Sequence, residues 1–122
     1  MKSNFKKIIK FKKLSVFETK KNFFKSKINK KNILDFSNIY KNYVVIKVKY
    51  SNLNFKDYLI AKGNKGLVRK FPHTPGIDAA GEVYFSNSRK FKKKDNVYII
   101  AKPLGVETNG GFSEFIIVPD KW

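Results

Sequence analysis

The chain has 122 residues, of which 42% are hydrophobic and 16% aromatic, enough apolar material for one packed domain but short for a complete two-domain enzyme. It holds no Cys and one His, His73, which excludes disulfide frameworks, thiolate or multi-His metal sites and a Cys nucleophile. Lys plus Arg number 27 against 9 Asp plus Glu, for a formal net charge of +18, and a charge of that size attracts polyanions and anionic lipid heads.

The charge is uneven: residues 1–49 hold 15 Lys against Glu18 and Asp35. Only Arg69 and Arg89 are Arg, and Asn, Phe and Ile are plentiful while Gln is absent. Arg supplies the bidentate forks of phosphate and base recognition, so this lysine excess is read first as a codon bias toward A and T, with a functional polyanion surface as the alternative. No run approaches the roughly 20 apolar residues of a membrane helix, and the basic N-terminus lacks the apolar stretch of a secretory signal. A cytoplasmic protein is expected.

Residues 1–39 alternate short apolar pairs with Lys and Asn, as at Ile8-Ile9, Phe23-Phe24 and Ile33-Leu34. They are expected to form a basic lead-in with a first strand near residues 6–18, its lysines serving either as a solvated edge that discourages aggregation or as a nucleic-acid arm. From residue 43 the pattern sharpens. Val44, Ile46, Val48 and Tyr50 alternate with Val45, Lys47 and Lys49, the period of a half-buried strand. Asn54 to Gly63 predicts a short helix, with Asn54 at the cap, Asp57 at the reciprocal acidic position and Gly63 in the left-handed closing position.

A loop with Pro72, Pro75 and Gly76 follows, then three apolar segments, Ala79–Phe85, Val97–Ala101 and Phe112–Val118. Gly81 inside a strand implies a bend or a close backbone approach. Short strands with a short helix and no strand–helix alternation predict a small, mostly β fold. His73, between two prolines, reads as a packing or surface residue, with a general acid as the catalytic alternative.

The stretches Ser51–Asp57, Phe71–Val83 and Asn109–Phe112, in that order, resemble the N-terminal, GroES-like domain of the medium-chain dehydrogenase/reductase superfamily. Within it they look most like the zinc-independent branch of quinone oxidoreductases and acrylyl-CoA reductases. The resemblance covers residues 40–122 and implies a partly open β-barrel with short helices, positioned to hold the acceptor in a hydride transfer from NADPH. By the same resemblance, Asn54 and Asp57 are the candidate catalytic residues, meeting a substrate carbonyl and orienting a proton relay. Phe55, where relatives often carry Tyr, and Lys56 are the candidate cofactor contacts. The substrate class implied is an acyl-CoA enoyl thioester or a quinone.

Zinc-dependent members place His and Glu where Ile77 and Asp78 stand, so no zinc is expected. Lys93-Lys94-Asp95 stands where relatives usually have a Gly, which puts a Lys into a left-handed turn at a cost of about 1 kcal/mol. No glycine-rich dinucleotide fingerprint occurs; the chain is therefore expected to be a truncated, substrate-side piece lacking the Rossmann domain, inactive alone. Trp122 and Phe112 are expected to lie in an apolar patch that this partner covers. The competing reading is a small basic β-rich module that binds nucleic acid or another polyanion.

Overall fold

The computed structural model describes residues 10–31 and 40–122. The chain runs β1 (Phe11–Lys20), β2 (Phe23–Lys31), β3 (Tyr43–Ser51), α1 (Phe55–Ala61), β4 (Ala79–Ser86), β5 (Asn96–Ile99) and β6 (Phe115–Pro119). The fold is mostly β with one helix among the described residues, and no strand–helix–strand unit of Rossmann type occurs among them.

The first strand spans 11–20; positions 6–9 of the expected strand, with Ile8, Ile9, Ile33 and Leu34, lie outside the described residues. The lead-in also contains a second strand that periodicity does not reveal. β1 and β2 form an antiparallel hairpin in which Lys20 pairs with Phe23, and Asn22 closes the turn at φ 65, a conformation Asn tolerates better than most residues. The other edge of β1 is also paired. Val16 exchanges backbone hydrogen bonds with His73 at 2.7 and 2.9 Å, Leu14 N–H donates to Phe112 C=O at 2.8 Å, and Glu114 N–H donates to Lys12 C=O at 2.9 Å. The hairpin is thereby stitched to the body by backbone hydrogen bonds.

β5-β4-β3-β6 form a four-stranded antiparallel sheet, and with the hairpin they build the partly open barrel. One core cluster gathers Val44, Ile46, Ala79, Val83, Ile99, Leu104, Ile116 and Val118. Val45 faces a second cluster with Phe11, flanked by Tyr84 and Phe115. The half-buried alternation expected for β3 thus fails at its first half: Val44, Val45 and Ile46 are all buried, because Phe11 covers the face that would otherwise meet water. It fails again at the end, where Tyr50 is exposed. The register shifts between Val48 and Tyr50, and one extra residue turns the following side chains to the opposite face.

Gly81 sits where a Cβ would collide with the Lys47 carbonyl, the close approach its place in a strand implied. Lys94 takes φ 77, and its N–H donates to Val83 C=O at 2.8 Å while Asp95 Oδ2 accepts from Lys92 N–H at 2.8 Å.

Candidate functional site

α1 follows β3 after three residues and begins at the cap Asn54, whose backbone is extended at φ -109 and ψ 164. Its buried face is Asp57 and Ile60. Gly63 closes it at φ 86, the left-handed geometry in which glycine has no Cβ penalty.

Asp57 is 1% exposed, and its partners are backbone amides rather than a lysine. Oδ2 accepts from Asn54 N–H at 2.9 Å; Oδ1 accepts from Gly76 N–H at 2.9 Å and Ile77 N–H at 3.1 Å. A buried carboxylate that accepts several N–H bonds is held in place by charge-assisted contacts. Here it clamps the helix start to the Pro75-Gly76 turn. That turn is itself locked, since Gly76 lies at φ 113 and a Cβ there would stand 2.5 Å from Gly111 N.

Asn54 is half-buried, and its side-chain amide donates to Asp78 Oδ2 at 3.2 Å. Asp78 Oδ1 accepts from Asn52 N–H at 3.3 Å. Asn54, Asp57 and Asp78 therefore form one connected group in which the carboxamide is oriented by a carboxylate and the cap by another. Asp78 was not among the sequence-derived site residues. The signal was present, because it follows Gly76-Ile77 at the position where zinc-dependent relatives carry Glu, but it pointed only to a metal.

Phe55 and Lys56 project away from this group. Phe55 is 72% exposed and lies 6.2 Å from Tyr58 with 21° between ring planes; Lys56 is exposed. Tyr50 and Tyr98 both pair with Ala80 in the strand register, and both are exposed, as are Leu53 and Ile100. These are among the large exposed apolar side chains of the described residues, and Trp122 and Phe112 are not. Trp122 and Phe112 are only half-exposed, and Trp122 packs against the first core cluster and near Tyr40.

His73 stands apart. It is 7% exposed, and its Nε2 lies 2.7 Å from Gly105 C=O. A carbonyl only accepts, so Nε2 carries the proton. Burial holds the imidazole below its ordinary value; the Gly105 carbonyl opposes that shift, and the Lys13 charge adds to it. A cavity of about 350 Å³ opens beside it, lined by Phe11, Thr74, Asn109 and Phe115 among others and by none of Asn54–Asp57. Among the described residues no three His, Asp or Glu side chains are grouped to hold a metal ion, and no helix is long and apolar enough to cross a membrane.

Residues 40–122 match the profile of the alcohol dehydrogenase GroES-like domain, and the chain belongs to that family, within the medium-chain dehydrogenase/reductases. The acrylyl-CoA reductase AcuI of Ruegeria pomeroyi is 40% identical over 79 residues, which are 65% of this chain and 24% of that protein. A quinone oxidoreductase of Sus scrofa is 32% identical over 81 residues, 65% of this chain and 23% of that protein. The Bacillus subtilis protein yhfP with NAD bound superposes with a TM-score of 0.81 at 36% identity, covering 93% of this chain and 33% of that one. The yhdH oxidoreductase of Salmonella enterica in complex with NADP gives a TM-score of 0.79 at 28% identity, covering 91% and 33%. The chain thus spans about a quarter of the length of the curated relatives it matches.

Proposed function

We propose that this chain is the substrate-side domain of a cytoplasmic, NADPH-dependent oxidoreductase that reduces a double bond conjugated to a carbonyl, in an acyl-CoA enoyl thioester such as acrylyl-CoA, or a quinone. The observation that carries the reading is the Asn54–Asp78–Asp57 group. An amide has two N–H donors, and with one held by Asp78 the other is free to meet a substrate carbonyl oxygen. Such a donor stabilises the negative charge that develops on that oxygen as the double bond is reduced. Asp57 acts through position: it sets where the helix starts and hence where Asn54 stands.

The exposed Phe55 ring and the Lys56 ammonium fit a flat, anionic cofactor, the ring offering an apolar face and the lysine a charge for phosphate. When bound, the reduced nicotinamide supplies the hydride, and a Rossmann-type domain in the same or another chain supplies the main cofactor grip. Zinc has no part in this reading, because Ile77 has no donor atom and the chain has no Cys.

The test joins this chain to the Rossmann half of a relative and follows NADPH consumption with acrylyl-CoA and with a quinone. Turnover is expected with one of them, and Asn54→Ala is expected to lower kcat/KM by about 10- to 100-fold without a change on adding zinc or a chelator. No NADPH oxidation with either acceptor, or full activity in Asn54→Ala, would overturn the reading.

A further inference from the structure

The β1–β2 hairpin plays no part in the site just described, yet residues 10–31 carry nine lysines and a single acid, Glu18. That acid is already engaged. Its Oε2 accepts from Asn22 N–H at 2.8 Å and meets Lys65 Nζ at 3.1 Å, which holds the carboxyl below its usual range. Lys12 stands directly opposite Lys30, a pairing of like charges that weakens a hairpin.

The two adjacent phenylalanines at the turn have opposite fates. Phe24 lies 4.8 Å from the Phe71 ring and against Gly63, where a Cβ would collide with it; it fixes the tip to the body. Phe23 is 66% exposed, with Lys20, Lys21 and Lys25 all exposed beside it in sequence. Guarding a free strand edge accounts for lysines. It does not account for a large aromatic ring left exposed beside the turn.

We infer that the hairpin tip, Phe23 within the collar Lys20, Lys21 and Lys25, docks on an anionic lipid surface. An apolar ring flanked by lysines is the pattern of interfacial anchoring, the ring entering the acyl boundary while the ammonium groups stay at the headgroups. Charge complementarity favours this occupant. A second copy of a chain with net charge +18 is repelled. Nucleic acid is read best by Arg forks and by successive stacked rings, whereas the hairpin has no Arg and one exposed ring at its tip.

The experiment is co-sedimentation of the whole chain with vesicles of phosphatidylcholine alone and of phosphatidylcholine with about one third phosphatidylserine. Binding is expected to the anionic vesicles only, weakening at least about tenfold between roughly 50 and 200 mM salt. Each collar lysine is worth about fivefold, so the triple variant Lys20→Gln, Lys21→Gln, Lys25→Gln is expected to lose about 100-fold. Phe23→Ser is expected to lose about five- to tenfold with the salt dependence unchanged. A charge-matched control, Lys90→Gln, Lys92→Gln, Lys121→Gln, should stay within about threefold of the parent if location matters. All these side chains are exposed, so thermal midpoints should not move. Equal losses in both triple variants, equal binding to neutral vesicles, or retention on single-stranded DNA with no vesicle binding would each overturn the inference.

Discussion

Replacing Asp57 by Asn changes one atom and tests whether this carboxylate acts by holding structure together. Its three backbone donors at 2.9, 2.9 and 3.1 Å are served by two anionic oxygens at 1% exposure. A hydrogen bond to a charged group contributes about 1.5–3 kcal/mol, against about 0.5–1.5 for a neutral one. Asn keeps at most two acceptor contacts, each weakened by about 1 kcal/mol, and turns an NH2 toward a donor, leaving a buried N–H unpaired at about 1–3 kcal/mol. The sum is about 3–5 kcal/mol, a large share of the roughly 6–18 kcal/mol that a chain this long commands. In urea, with a slope near 1.5 kcal/mol per M, the midpoint should fall by about 2–3 M. Asn54→Ala, which leaves the Asp57 contacts intact, should cost only about 1 kcal/mol. A shift below about 0.5 M for Asp57→Asn, or a shift for Asn54→Ala that exceeds the one for Asp57→Asn, would refute the clamp.

Three further outcomes follow from single residues. Lys94→Gly relieves a side chain held at φ 77 and should raise stability by about 1 kcal/mol in urea unfolding, the gain reduced by glycine's greater unfolded-state entropy. Gly81→Ala should destabilise by about 1–3 kcal/mol, because the added methyl must displace the Lys47 carbonyl; an unchanged midpoint would show that the sheet yields there. His73 is held below the ordinary value of 6.5 by burial, so as pH falls the unfolded chain takes up the proton first. Stability should therefore decline with falling pH from about 6.5 downward and level off once the folded ring titrates. Urea midpoints measured between about pH 7.5 and 5 should show this slope, and His73→Gln should remove it.

The parts visible in the sequence were those fixed by neighbours a few residues away. The helix cap, its closing Gly63 and the Asp57 reciprocal contact all lie within one or two turns, and the left-handed Lys94 follows from a lysine standing where relatives place a glycine. What escaped was set by distant chain. β2 has no apolar period because most of its side chains face water, and it is a strand only because β1 supplies hydrogen-bond partners. The burial of Val45 depends on Phe11, and the exposure of Tyr50 on a register shift that no local signal marks. Asp57 was legible as a cap residue, while its grip on Gly76 and Ile77 needed the fold. Asp78 was legible in position but not in role.

β1 is paired along both edges, to β2 on one side and to the segments around His73 and Phe112–Glu114 on the other, the last of these about a hundred positions away in the chain. Expression of a shortened chain starting at residue 40, where the family profile begins, would leave those segments with bare amides and carbonyls and, by removing Phe11, would uncover Val45 and Phe115. Unpaired strand edges beside apolar side chains recruit other chains. Such a trimmed chain should be recovered as aggregate, and adding the hairpin peptide during refolding should return it to solution, so any practical boundary for producing this domain lies upstream of Phe11.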